Sequence, residues 1–180
     1  MDAAALPVLV VASTIPAMAS KDPPVTPAVR FLRAKQVAYE PHVYDYVEKG
    51  GTSRSSAELG VDEHAVVKTL VFETDEKQPL IVLMHGDKQV SAKNLARQLG
   101  ARSIQPCKPE TAEKWTGYQV GGTSPFGTRH ELPVYVERSV MALPKIWING
   151  GKRGFLVALD PAALRHLPKL AEVEVAIEKA

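Results

Sequence analysis

The sequence VVKTLVFETDEKQPLIVLMH, residues 66–85, contains two apolar runs of strand length separated by a polar, proline-containing turn at 74–79. This pattern predicts two strands joined as a hairpin. Alternate side chains of a strand share a face, so Lys68 is expected on the same face as Val66 and Leu70. Lys68 is therefore either a solvated lysine on a half-exposed strand or a cation directed into a pocket. The pattern leaves both open.

Helix and strand signals surround this hairpin in irregular order. Capping residues and apolar periodicity predict helices at 28–35, 55–59, 92–99, 109–115 and from Asp160-Pro161 onward. A polar loop is predicted at 48–54. Further strands are predicted at 37–47, 133–137, 145–148, 155–159 and 173–177. About seven strands and four or five short helices without a regular strand–helix repeat indicate an α+β fold.

Length and composition fit one globular domain. The chain has 180 residues, 45% hydrophobic and 23% charged, with a net charge of +2. A nucleic-acid-binding surface requires cations clustered on one face, and a net charge of +2 does not demonstrate such a cluster. No DNA partner is predicted. The single cysteine, Cys107, excludes an intramolecular disulfide framework and fits a reducing, cytoplasmic compartment.

The N-terminal segment differs from the rest of the chain. Residues 1–22 are predicted to be a disordered extension, or the product of a mis-set start codon with the true start at Met18, and residues 23–180 the folded domain. A secretion signal is the less favoured alternative, because no Lys or Arg precedes Lys21. No transmembrane helix is predicted.

The segment 117–127, called the glycine loop below, has four glycines in eleven residues. Such density is useful where the backbone must turn sharply or approach a ligand closely. The spacing matches neither a P-loop nor a dinucleotide-binding motif, so nucleotide binding in those modes is not predicted. Its backbone N–H groups and the Thr123 and Ser124 hydroxyls could hold an oxyanion or an ester carbonyl. A purely structural turn cluster is the alternative.

A second segment, 149–154, is called the basic loop. It places Lys152 and Arg153 beside two glycines, Gly150 and Gly151. These cations could bind a phosphate or a terminal ribose. A solvated hairpin tip would have the same composition.

Other catalytic signatures are weak. The five histidines show neither His-x-x-x-His nor a carboxylate at metal spacing, so no metal and no cofactor are predicted. Cys107 has no activating neighbours in sequence, and Gly-x-Ser-x-Gly is absent. The residues alone thus indicate a pocket edged by two glycine-containing loops and a lysine.

From residue 26 to about residue 175 the chain resembles the YbaK family of aminoacyl-tRNA deacylases, related to the editing domain of bacterial prolyl-tRNA synthetases. Several separate motifs in the same order carry the resemblance. They are TPAV at 26–29, HVY at 42–44, VKTL at 67–70, TGYQVGGTSPFG at 116–127 and GGKRG at 150–154.

The resemblance implies a single α+β domain with a mixed, mostly antiparallel barrel-like sheet flanked by short helices. It implies release of a wrong amino acid from the 3′ end of a tRNA, with Lys68 as the catalytic residue. The implied substrate-binding residues are Tyr44, Thr69, Gly121, Gly122, Thr123, Ser124, Pro125, Gly127, Gly150, Gly151, Lys152 and Arg153. The implied partners are aminoacyl-tRNA and, as a candidate, prolyl-tRNA synthetase.

An aminoacyl ester is already activated, so positioning and oxyanion stabilisation can suffice for its release. For the cysteine-clearing branch, the resemblance implies attack by the substrate's own thiol. Cysteine on tRNA(Pro) or tRNA(Cys) is the expected substrate. Alanine or another small amino acid, and a non-catalytic tRNA- or synthetase-binding module, are the alternatives. Leu156 stands where some members of that branch have an aspartate, which leaves the amino-acid preference open.

Overall fold

The computed structural model describes residues 22–180. All but the last residue of the predicted N-terminal extension, and with it Met18, lie outside the described part of the chain. The elements alternate irregularly between helix and strand.

The helices are α1 (Pro27–Ala34), α2 (Gly51–Leu59), α3 (Ala92–Leu99), α4 (Pro109–Thr116) and α5 (Arg138–Met141), with 3₁₀ helices η1 (Glu63–Ala65) and η2 (Pro161–His166). The strands are β1 (Glu40–Val43), β2 (Val66–Thr74), β3 (Pro79–His85), β4 (Lys88–Val90), β5 (Ile104–Pro106), β6 (Val134–Glu137), β7 (Ile146–Lys152), β8 (Phe155–Leu159), β9 (Leu170–Val173) and β10 (Ala176–Glu178).

Eight strands form one mixed sheet in the order β1-β8-β7-β2-β3-β6-β9, with β5 paired to β2 as a branch, while β4 and β10 pair separately. The predicted hairpin is at its centre: β2 and β3 run antiparallel, with Lys68 opposite Met84. The β2–β7, β3–β6 and β6–β9 pairs are parallel and the others antiparallel. The predicted mixed, mostly antiparallel sheet with short flanking helices is confirmed.

Strand β3 is buried on both faces. Ile81 and Leu83 enter one hydrophobic core with α1 and β6–β8, and Leu80, Val82 and Met84 enter a second core with α3. A strand covered on both sides needs an unbroken apolar run rather than an alternating pattern. The sequence of β3 has such an unbroken run. Each fully buried side chain of this size stabilises the fold by about 1.5–3 kcal/mol.

Strand β2 has an open stretch along one edge. Strand β7 pairs with it only at Val66 and Val67, and β5 only from Phe72 onward. Beyond Ile148, β7 bulges between Asn149 and Lys152, and it turns back into β8. Residues 68–70 therefore border an opening between β2 and β7 instead of a neighbouring strand.

Two predictions near residue 45 are wrong. The strand predicted at 37–47 is only Glu40–Val43, because its partner β8 begins at Phe155, opposite Val43, and the Tyr44 N–H instead donates to the Gly154 carbonyl. The polar loop predicted at 48–54 ends early, since α2 begins at Gly51 rather than at Ser55.

Three further differences concern short elements. The last predicted helix is the 3₁₀ helix η2, and the strand predicted at 173–177 is replaced by β9 and β10. Strands β4 and β5, each of three residues, were not predicted. The ends that capping residues predicted are observed: Ser91 caps α3 through the Asn94 N–H, and Gly100 closes it in the left-handed conformation.

Gly127→Ala should destabilise the fold much more than Gly60→Ala. Both glycines have positive φ, 63° and 66°, but a Cβ on Gly127 would lie 2.5 Å from the Pro27 carbonyl oxygen, and one on Gly60 meets nothing within 4 Å. We expect a loss of about 1 kcal/mol for Gly60→Ala and about 2–4 kcal/mol for Gly127→Ala. Urea denaturation of both variants measures the difference, and equal losses would contradict the close approach.

Candidate active site

A cavity of about 700 Å³ opens at the unpaired stretch of β2. Its walls come from the segment after β1, the first turns of α2, residues 66–71 of β2, the start of α4, the glycine loop and the basic loop, with Leu156 of β8 at one side. The volume is in the range of small-molecule sites. The cavity is therefore large enough for an amino acid with part of a nucleotide.

Some of the predicted site residues line the cavity, and others lie behind its wall. Those that line it are Tyr44, Lys68, Thr69, Gly121, Thr123 and Arg153. Those outside the lining are Gly122, Ser124, Pro125, Gly127, Gly150, Gly151 and Lys152. The two loops thus contribute their rim residues to the cavity and their remaining residues to the packing behind it.

The glycines behind the wall permit close contact between the two loops. A Cβ on Gly122 would lie 2.7 Å from the Arg153 backbone nitrogen, and one on Gly151 would lie 2.8 Å from the Tyr118 ring. Ser124 is fully buried, and its hydroxyl accepts a hydrogen bond from the Phe126 N–H at 3.2 Å. These residues pack behind the rim and hold it in position.

Lys68 and Thr69 extend to opposite faces of β2. The Lys68 ammonium donates to the backbone carbonyl of Lys88 in β4. Burial lowers the pKa of the Lys68 amine, and the charge of Lys179 lowers it further. Lys68 is thus half-buried at the edge of the cavity, joined to the β4–β10 pair rather than to either glycine-containing loop.

Thr69 lines the cavity, and its hydroxyl oxygen is buried without a hydrogen-bond partner among the described residues. Within 22–180, its Oγ1 is one of three buried side-chain polar atoms that lack a partner, and of those three residues Thr69 alone lines the cavity. An unpaired buried hydroxyl costs about 1–3 kcal/mol. A change of the Thr69 side-chain rotamer would be needed to turn this hydroxyl toward a ligand in the cavity.

Cys107 is in the wall as a protonated thiol. Burial raises its pKa to about 11, and the Glu73 carboxylate, which accepts from Sγ at 3.8 Å, contributes to the rise. No histidine is among the lining residues of the described chain. The wall therefore contains hydroxyls and a thiol without a histidine to activate them. Its charged side chains are Glu48, Lys49, Arg54, Lys68 and Arg153.

The fold also brings together three residues that sequence spacing did not connect. Atoms of His64, His85 and Asp87 lie within 4.8 Å of one another, with the His64 and His85 rings stacked at 3.7 Å. His64 Nδ1 is 2.8 Å from Asp87. His85 donates from Nδ1 to the His64 carbonyl, so Nε2 accepts from the Ser139 hydroxyl at 2.6 Å. Internal hydrogen bonds thus use both ring nitrogens of His85.

The hairpin explains this cluster. Val67 pairs with His85, the last residue of β3, so His64 in η1 before β2 and Asp87 after β3 must both come close to His85. The predicted pairing of β2 with β3 was the sequence signal that could have revealed this cluster.

In the described chain, no helix has both the length and the apolar character that crossing a membrane requires.

Comparison with known proteins identifies the class. The family model of the aminoacyl-tRNA editing domain matches residues 49–167, well over half of the chain. The chain belongs to this family. The prediction of an editing enzyme, an aminoacyl-tRNA deacylase, is confirmed at the level of the family.

Relatives agree with this assignment. EbsC of Enterococcus faecalis, provisionally named as a Cys-tRNA(Pro)/Cys-tRNA(Cys) deacylase, is 29% identical over 79% of this chain and 87% of its own length. A proline–tRNA ligase of Nitratidesulfovibrio vulgaris is 42% identical over 54% of this chain, which corresponds to only 17% of the ligase. A crystal structure described as a provisional trans-editing enzyme for prolyl-tRNA synthetase shares the fold, with a TM-score of 0.72 at 19% identity, over 87% of this chain and 100% of that chain.

Cys107 should be alkylated by iodoacetamide slowly at neutral pH. Because its thiol is protonated below about pH 11, the rate should keep rising to that pH and be about a hundredfold below that of N-acetylcysteine at pH 8. Mass spectrometry measures the modified fraction without ambiguity, since the chain has one cysteine. A plateau near pH 9 would contradict the buried thiol, and Cys107→Ser is the unlabelled control.

Proposed function

We propose that this protein is a trans-editing deacylase that removes cysteine from Cys-tRNA(Pro) or Cys-tRNA(Cys). Membership of the editing family supports the reaction class, and the similarity to EbsC, matched over 87% of its length, supports cysteine as the substrate. Prolyl-tRNA synthetase is the candidate partner, because a proline–tRNA ligase contains a segment similar to more than half of this chain. A cytoplasmic location follows from a role in translation.

The observation that carries the proposal is a binding cavity without an activated nucleophile. Its wall has a protonated thiol, no histidine and one unpaired hydroxyl. Such a site can hold and orient an activated ester but is poorly equipped to attack it. This favours a route in which the substrate supplies the nucleophile.

In that route the cysteinyl thiol attacks its own ester carbonyl. A carbon–sulfur bond forms, the bond to the ribose oxygen breaks, and the thiol proton ends on that oxygen. The products are a cyclic thioester of cysteine and a tRNA with a free terminal hydroxyl. The protein's part is to orient the ester and stabilise the oxyanion, for which the Thr69 hydroxyl and the rim of the glycine loop are the available groups.

The apolar part of the wall bears on the amino acid. Leu156 is buried, 4% exposed, and lines the cavity together with Val71 and Ala112. An apolar wall favours a small, weakly polar side chain such as that of cysteine. An apolar wall discriminates only weakly between amino acids with side chains of similar size, so alanine remains the second candidate substrate.

Thr69→Val should separate ligand binding from folding. Removing an unpaired buried hydroxyl should leave the free energy of unfolding unchanged or raise it slightly, while deacylation of Cys-tRNA(Pro) falls about tenfold through one lost hydrogen bond. Deacylation rates and urea denaturation of the same preparations measure both effects. Full activity in Thr69→Val would remove Thr69 from the proposed site.

Lys68→Ala should reduce deacylation by tenfold or more, because it removes both the cation at the cavity edge and the bond to the Lys88 carbonyl. Lys93→Ala, an exposed lysine of α3, is the matched control and should keep wild-type activity. Wild-type protein that is inactive on Cys-, Ala- and Ser-charged tRNAs would overturn the enzymatic proposal in favour of a non-catalytic module. Full activity in Lys68→Ala would overturn only its assignment to the site.

Blocking the substrate thiol tests the route. With S-methylcysteinyl-tRNA(Pro), the release rate should fall to the uncatalysed rate, because no thiol remains to attack the ester. Release of radiolabelled amino acid measures it, and unmodified Cys-tRNA(Pro) is the control. Unchanged release would rule out substrate-assisted attack and point to water as the nucleophile.

A further inference from the structure

The rim of the cavity exposes apolar side chains that the proposed chemistry does not use. Val47 and Val120 are 48% and 41% exposed, and both border the cavity. Only four large hydrophobic residues in 22–180 are exposed, and two of them are at this rim; the others are Val25 and Ile177. Two exposed valines from separate loops at one opening suggest a contact surface for a ligand.

Tyr46 and Arg153 link the two segments that carry these valines. The Arg153 guanidinium lies over the Tyr46 ring at 5.1 Å, and Arg153 Nε donates to the Val120 carbonyl at 2.8 Å. A Cβ on Gly121 would lie 2.8 Å from the Tyr46 hydroxyl, so only glycine fits this arrangement. Tyr46, Val47, Val120 and Arg153 are called the rim platform below.

The charges around the platform favour an anionic, flat ligand. The cavity lining holds the cations Lys49, Arg54, Lys68 and Arg153 against one acid, Glu48, and of these cations Arg54 is paired with Glu58 at 3.0 Å. Nucleobases pack on aromatic rings, guanidinium planes and apolar side chains, and basic side chains track the adjoining phosphates. A surface with an aromatic ring, a guanidinium, two aliphatic side chains and nearby cations therefore suits a nucleotide.

We propose that the rim platform binds the terminal adenosine of the tRNA, with its base against Val47, Val120 and the Tyr46–Arg153 pair, so that the aminoacyl ester enters the cavity. This inference rests on the proposed function for the identity of the ligand. It adds Tyr46, Val47 and Val120 to the residues that position the substrate. Lys49, two residues after Val47, also lines the cavity and is the proposed contact for the phosphate preceding the adenosine.

The test measures binding without catalysis, so that its failure is separate from that of the deacylase proposal. An uncharged acceptor-stem RNA hairpin ending in CCA is compared with one whose last nucleotide is abasic, by fluorescence anisotropy at fixed salt. Wild-type protein should bind the CCA hairpin about tenfold more tightly, as stacking of one base predicts. The double variant Val47→Ser, Val120→Ser should lose most of this preference.

Ile177→Ser is the matched control, because Ile177 is equally exposed, at 44%, but lies in β10 outside the cavity lining. It should keep the wild-type preference for the CCA hairpin. Equal binding of both hairpins by wild-type protein, or an undiminished preference in the double variant, would overturn the inference. Loss of the preference in Ile177→Ser as well would also overturn it. In deacylation assays the double variant should raise KM more than it lowers kcat.

Discussion

The burial of β3 on both faces is the constraint on which the rest of the structure depends. Its residues enter two separate cores, so helices and strands must cover both sides of the sheet. Strand β2 is fixed against β3 along most of its length, from Val67 to Glu73. Its other edge is paired only at its two ends, and the ligand cavity forms at the stretch between them.

The open edge is kept in shape by contacts between loops distant in sequence. Gly122 approaches the backbone of the basic loop, and the Asn149 side chain donates to the Gly121 carbonyl at 3.1 Å while accepting from the Gly151 N–H at 2.7 Å. The part of the wall formed by the two loops is therefore held by close backbone contacts that small residues permit. This explains why so many glycines of the two loops lie behind the wall rather than in it.

Sequence reasoning located the parts of the fold that carry local signals. The β2–β3 hairpin and helix α3 were predictable because a double-sided core demands apolar runs and because Ser91 and Gly100 mark helix ends. Strands β4 and β5 were not, since three-residue strands exist only through pairing with β10 and β2. The strand predicted past Val43 failed because apolar alternation continues there although the partner strand has ended.

For the site, the two loops and the VKTL motif were recognisable from composition and family resemblance, and the contribution of α2 was not. Gly51, Thr52, Arg54 and Ser55 line the cavity from a segment read mostly as a polar loop. Cys107 enters the wall, and Val47 the rim, through tertiary contacts that no local pattern reveals.

The unpaired Thr69 hydroxyl has a thermodynamic consequence. A solvated hydroxyl must release water before it can bond a ligand, and that exchange cancels most of the gain. The Thr69 oxygen is shielded from solvent and has no hydrogen-bond partner in the described chain. In the proposed complex, a hydrogen bond between this oxygen and a ligand would therefore appear as favourable binding enthalpy with little compensating loss.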